Sequence, residues 1–396
     1  MKILVVCQHY YPEPLRTSDI CEELVKAGHD VSVITDVPNY PMGIVYDGYK
    51  KGRNRNEVIN GVKVHRCFTI ARRKGIIFRF LNYYSFAISS KLYAKRMKED
   101  FDVVFVYQLS PVMMANAGIA YKKKHNKKML LYCLDQWPES LKAGGIKEQS
   151  IVFKYYHKVS NKIYNSADKI LITSKTFKNY LMNNFNIKDE VITHLPQYAE
   201  ALFSPETCKR EKDENINLVF AGNVGKVQSI DTIISAAEKT KDIKNLYWHI
   251  VGDGSKYQDS VDKVKELGLE NVVFHGRKPL EEMPKYYKMA DAMLVTLQGG
   301  NSISETLPGK VQSYMAAGKV VIGAINGETK DVIDEAKCGF CGKADDADEL
   351  AKNVRNFIEF KDKDELERNS YKYYLDNFEK EKFVNKLVSE LDKLTK

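Results

Sequence analysis

The chain has 396 residues, enough for two ordinary domains, and its 44% hydrophobic residues can fill two cores. Lys+Arg 61 against Asp+Glu 52 gives a net charge of +9, an excess that suits anionic partners such as nucleotides or phospholipid headgroups. No DNA- or RNA-binding signature accompanies it, which argues against a nucleic-acid partner, and no apolar run approaches the ~18 residues of a membrane-spanning helix.

The opening residues, Met1 to Cys7, are apolar over too short a run for a signal peptide and read as a strand, Ile3–Cys7. A loop over Gln8–Thr17 follows, with His9 a candidate catalytic group at the strand's end. A helix is expected over Asp19–Ala27, with Asp19 and Glu22 as a capping box and Gly28 as its stop. Val31–Thr35 is the next strand. Arg72-Arg-Lys-Gly-Ile-Ile-Phe-Arg79, continuing through Lys98, mixes basic and aromatic residues on expected helices. Arg72, Arg73, Lys74 and Arg79 are candidates to meet an anionic membrane surface, the alternative being a solvated basic face of packed helices. The strands Val103–Tyr107, Met129–Leu134 and Lys169–Thr173 are unbroken apolar runs rather than alternating ones. Such runs imply a parallel sheet covered on both faces. Asp135 follows the second of them, at a strand end.

Composition shifts to Pro, Lys and Glu around Ser204–Asn215, an expected linker. A second series follows: strand Leu218–Ala221, helix Ser229–Lys239, strand Leu246–Val251, helix Tyr257–Leu267, then strands Val272–His275 and Ala292–Thr296. Two doubly wound, Rossmann-like α/β domains facing a cleft are expected, over 1–205 and 206–375. Glycine-containing turns stand at four strand ends of the second half. Gly222-Asn-Val-Gly-Lys226 offers Asn223, Gly225 and Lys226 to phosphate, and Gly252-Asp-Gly-Ser255 offers close backbone approach through Gly252 and Gly254. Gly276-Arg-Lys-Pro279 offers Arg277 and Lys278 to a base. In Glu305-Thr-Leu-Pro-Gly-Lys310, Gly309 opens a helix whose positive end, with the Lys310 charge, would stabilise phosphate. No G-x-G-x-x-G follows the first strand, which argues against a dinucleotide dehydrogenase. The seven scattered cysteines read as reduced and buried, and Cys338-Gly-Phe-Cys341 has no second pair with which to bind zinc.

The residues His9-Tyr-Tyr-Pro-Glu13, Asp135-Gln-Trp-Pro-Glu-Ser140, Gly222-Asn-Val-Gly-Lys226 with Gln228, and Pro308-Gly-Lys310 with Tyr314-Met-Ala-Ala-Gly318 resemble glycosyltransferase family 4, of the GT-B architecture. The likeness is greatest to bacterial transferases of O-antigen and capsule assembly, especially those of N-acetyl-L-fucosamine. It implies transfer of a sugar from a nucleotide diphosphate, UDP-linked, with retention of configuration and without a metal. It also implies a closing helix, about 376–396, that returns to the first domain. Two acidic residues eight apart grip the donor in that family: Glu305 holds the first place, on the sugar hydroxyls, while the second, on the ribose, is Ser313 here. Relatives place His before Asp135, near the reacting sugar; this chain has Leu134 there, and the resemblance leaves Asp135 as the candidate sugar- or acceptor-facing carboxylate. The resemblance and the basic helices together point to a polyprenyl-diphosphate-linked acceptor and a cytoplasmic protein peripheral to the inner membrane face. A UDP-sugar 2-epimerase of the same fold and a non-catalytic scaffold are the alternatives.

Overall fold

The computed structural model describes residues 1–210, 214–300 and 306–396, and of residues 143 and 144 the backbone alone. Ile3, Leu4, Val5 and Val6 are buried on both faces of β1 (Lys2–Val6), as a parallel strand between two helix layers requires. After it come α1 (Arg16–Lys26), β2 (Asp30–Asp36), β3 (Asn56–Ile59), β4 (Val62–Cys67), α2 (Ile76–Arg96), β5 (Val103–Gln108), α3 (Asn116–His125), β6 (Lys128–Cys133), α4 (Ile151–Tyr164), β7 (Lys169–Ile172), α5 (Thr176–Phe185) and β8 (Ile192–His194). The sheet order is β3-β4-β2-β1-β5-β6-β7-β8. All neighbours are parallel except the β3–β4 hairpin, whose partly exposed, alternating residues carry no unbroken apolar run. Chain order reverses between β1 and β5, so the loops after these strands, with that after β6, share one carboxyl edge.

The second series is β9 (Ile216–Ala221), α6 (Ile230–Lys239), β10 (Leu246–Val251), α7 (Tyr257–Glu266), β11 (Val272–Gly276), α8 (Met283–Met289), β12 (Ala292–Thr296), α9 (Gly309–Ala316), β13 (Val320–Ala324), α10 (Glu328–Ala336), β14 (Gly339–Gly342), α11 (Ala347–Glu359), α12 (Lys363–Asn377) and α13 (Lys380–Thr395). Its sheet is parallel throughout, ordered β11-β10-β9-β12-β13-β14, with the reversal between β9 and β12. Both sheets are those of doubly wound α/β domains.

The compact units are Met1–Leu195 with Val384–Lys396, and Pro196–Phe383. The division precedes the compositional shift at Ser204 because Ala199 and Phe203 already belong to the second core, Phe203 stacking on Tyr287 at 4.5 Å. Two local expectations are corrected. Helix α1 begins at Arg16 behind an extended Leu15 with no side-chain cap, so Asp19 lies inside the first turn, where it complements the helix dipole. The closing helix expected over about 376–396 is not continuous. It breaks at Phe378, whose ring is buried in the second core, and α13 starts afresh after it. All seven cysteines are free thiols, six of them buried.

Candidate active site

In the second unit the glycine turns stack. Gly222 (φ +151°) follows β9 and gives its N–H to the Val251 carbonyl at 2.9 Å; Gly252 (φ +148°) follows β10 and gives its own to Gly276 at 2.9 Å. Val224 N–H donates to the Asp253 carbonyl at 3.0 Å. A Cβ on Gly252 would stand 1.7 Å from the Gly222 carbonyl oxygen, and one on Gly222 only 2.8 Å from Lys310 Nζ. The turns after β9, β10 and β11 are therefore layered backbone on backbone, with Lys310 laid on the first. Gly252→Ala is expected to destabilise the protein by about 2–4 kcal/mol, through collision and a forbidden φ. Urea unfolding checks this; an unchanged midpoint would contradict the stacking.

Lys310 belongs to the first turn of α9, which Tyr314 ties to β9: its hydroxyl accepts from Ala221 N–H at 3.2 Å and donates to the Ala221 carbonyl at 3.1 Å. Lys310 Nζ donates to Gln228 Oε1 at 2.6 Å and lies 4.0 Å from the Phe220 ring centroid. It has no carboxylate partner among the described residues. Burial therefore lowers its pKa from 10.5 to about 7. No side chain caps α9 behind the extended Pro308, so the N–H groups at Gly309 and the positive helix end remain for an anion. Asn223 lies over two glycines: a Cβ on Gly225 would stand 2.5 Å from its Nδ2, and one on Gly254 2.6 Å from its Oδ1.

Other expected donor residues sit around this core. Lys226 is exposed and lines an open groove with Ser229, Lys256 and Asp345. Arg277 lies 3.7 Å from the Asp253 carboxylate, joining the β11 and β10 turns, and Lys278 is half-buried beside His275. Ser313 is buried, and its hydroxyl donates to Glu200 Oε2 at 2.9 Å. Glu200 was not singled out from the sequence, where it lies 113 residues away. Glu305 lies outside the described residues.

In the first unit, polar side chains converge after β1 and β2. His9 is buried, its Nδ1 3.1 Å from Glu13 Oε2 and 3.7 Å from Asp36 Oδ1, and its ring stacks on Tyr40. Burial alone would lower the His9 pKa; the carboxylates Asp36 and Glu13 outweigh it and hold the group at about 10. That balance favours the protonated ring, while burial raises the facing Asp36 carboxyl to about 7. The three ligand-type atoms lie within 4.8 Å of one another, near enough to chelate an ion, but the imidazolium already balances carboxylate charge there. Glu13 also takes the N–H groups of Asn39 at 2.7 Å and Tyr40 at 2.6 Å, and Asn39 Oδ1 takes Arg72 N–H at 2.9 Å. The web thus fixes where the basic segment leaves the sheet.

Asp135, after β6, accepts from the hydroxyls of Ser110 and Ser140. Trp137 Nε1 donates to Ser110 Oγ at 2.7 Å. Burial raises the Asp135 carboxyl above 3.8, and the two serine hydrogen bonds oppose the shift. Arg73, Lys74 and Arg79 are exposed, while Arg72 is half-buried with its guanidinium 5.6 Å over the Tyr83 ring. Ile77, Leu81, Ile88 and Leu92 are exposed at spacings that place them on one face of α2.

Residues 16–197 match the family model described as Glycosyltransferase Family 4, and residues 207–376 match Glycosyl transferases group 1. The two matches together span most of the chain. Each half of this chain is thus that of a glycosyltransferase, family 4 in the first and group 1 in the second.

The transferase is similar to the Escherichia coli K12 protein WcaI, named for glycosyl transfer in colanic acid biosynthesis. The two are 24% identical over 345 residues, which are 80% of this chain and 82% of WcaI. Its fold matches a glycosyltransferase from Rickettsia africae with a TM-score of 0.72 at 17% identity, covering 100% of this chain and 98% of that one. It also matches Anabaena HepE, solved in complex with UDP and glucose, with a TM-score of 0.71 at 14% identity, covering 100% of both. The fold of the transferase is thus that of the GT-B structures.

Proposed function

We propose that this glycosyltransferase moves a sugar, an N-acetylated or deoxy-amino hexose, from a UDP-linked donor to a polyprenyl-diphosphate-linked glycan, with retention and without a metal. The observation that carries the reading is Lys310: a half-buried lysine on an uncapped helix start, laid against a stack of glycine turns. The departing diphosphate would be met there by the lysine, by N–H groups at Gly309 and Gly225, and by Asn223, with Lys226 at the rim. Ser313 and Glu200 together would offer the ribose a hydroxyl and a carboxylate, and Glu305 would meet the sugar. Gly252 and Gly254 would let backbone approach the nucleotide, and Arg277 and Lys278 would stand near its base. In the first unit Asp135 would face the reacting sugar. Purified protein incubated with UDP-sugars and lipid-diphosphate acceptors tests this, product mass naming donor and acceptor. A changed UDP-sugar without acceptor transfer would favour the epimerase, and no product from any pair would favour the scaffold.

The acceptor's lipid would be met at a membrane surface. No helix among the described residues is long and apolar enough to cross one. The exposed apolar face of α2, with Arg73 and Lys74 beside it, would instead lie on the cytoplasmic face of an anionic bilayer. Arg73→Glu with Lys74→Glu is expected to weaken sedimentation with phosphatidylglycerol vesicles at least tenfold, at about 1 kcal/mol per charge near the surface. Unchanged sedimentation would remove the membrane from the reading.

A further inference from the structure

A cavity of about 170 Å³ opens in the first unit beside the Asp135 loop. Arg72 and Arg79 line it, with Tyr83, Trp137, Ser110 and Ser140. The two serines are those that hold the Asp135 carboxylate, so the cavity adjoins that group. Neither arginine has an acidic partner among the described residues. Two uncompensated guanidinium groups at one small cavity favour a doubly charged oxyanion, which their planar forks can grip through several parallel hydrogen bonds. A third lining residue of α2, Ile76, is 59% exposed, and Ile77 and Leu81 continue the exposed apolar surface along the helix.

We infer that this cavity binds the diphosphate of an acceptor carried on an apolar chain, held by Arg72 and Arg79, with the chain leaving over Ile76, Ile77 and Leu81. The inference rests on the transferase reading above and divides the basic segment: Arg72 and Arg79 select the acceptor, whereas Arg73 and Lys74 meet the bilayer. Trp137 and Tyr83 wall the cavity where the first acceptor sugar would turn toward Asp135.

The chain has two tryptophans, Trp137 and Trp248. In a Trp248→Phe background Trp137 emission reports on this cavity alone. Geranylgeranyl diphosphate, below its micelle concentration, is expected to shift that emission saturably. Geranylgeraniol and inorganic pyrophosphate should each bind at least tenfold more weakly, because one lacks the charge and the other the chain. Arg72→Gln with Arg79→Gln, and Arg79→Gln alone, should weaken the lipid diphosphate tenfold or more while UDP binding, followed by calorimetry, is unchanged. Equal affinity for geranylgeraniol would overturn the diphosphate; equal affinity for pyrophosphate would make this a site for a free anion and overturn the lipid. Unaltered binding by both arginine variants would overturn the clamp. If UDP binds and the lipid diphosphate does not, the inference falls and the transferase reading stands. If the lipid diphosphate binds and UDP does not, that reading falls and the cavity assignment stands.

Discussion

Lys310→Met is expected to lower turnover by about 10²–10³-fold while leaving the fold intact, the loss typical of removing one preorganised donor from a developing negative charge. Methionine keeps the apolar stem against Phe220 and removes only the group that reaches Gln228. The lysine's lowered pKa, about 7, gives the prediction a second readout. A bound diphosphate would restore the ammonium, so donor binding above pH 7 takes up a proton. Affinity for UDP should then fall by about tenfold per pH unit above 7 until the bound-state pKa is reached, and lose that slope in the methionine variant. Calorimetry in buffers of different protonation enthalpy counts the proton. The stability sign follows from the same shift. Between pH 7 and 10.5 the unfolded chain holds the proton that the folded chain has released, so stability rises with pH across that window. Lys310→Met should flatten this rise. Near-normal turnover, or a UDP affinity independent of pH, would sink the phosphate role.

The strands were legible because an apolar run is a local property. Leu246–Val251 and Ala292–Thr296 stand where their residues place them, and the glycine turns follow at the same edge. What a side chain meets is not local. Nothing near Ser313 in sequence announces Glu200, and although Glu13 stands four residues from His9, nothing there announces that Asp36 joins it beside the ring. Gln228 was quoted only as part of a motif, yet it is the residue that holds Lys310. The break at Phe378 escaped because the demand of a distant core overrode a helical pattern that was itself sound. The basic, aromatic segment was legible as α2, but whether its apolar residues were covered depended on elements elsewhere in the chain.

Asp135→Asn is expected to reduce turnover by about 10²–10³-fold with little change in the Michaelis constant for the donor. The side chain is held by two hydroxyls, from Ser110 and Ser140, and both can rotate to accept from an amide as readily as they donate to a carboxylate. The isostere therefore keeps the loop and removes only the charge. If that charge faces a sugar passing through an oxocarbenium-like state, its loss raises the barrier without weakening the ground state. The pH profile separates this role from a structural one. Burial lifts the carboxyl above 3.8, so wild-type turnover should fall on the acid side at a higher pH than an ordinary aspartate would give. The asparagine variant should lack that limb. A raised folded-state pKa also means that the group favours the fold only while protonated, an advantage present below pH 3.8 and lost as pH rises through the folded value. Asp135→Asn should accordingly be no less stable than wild type at neutral pH. Ser140→Ala offers the contrast, since it withdraws one hydrogen bond that favours the ionised form and should move the acid limb upward without abolishing it. A variant that loses activity only because its thermal midpoint collapses would show that the carboxylate braces the loop, and the catalytic role would then pass to another group.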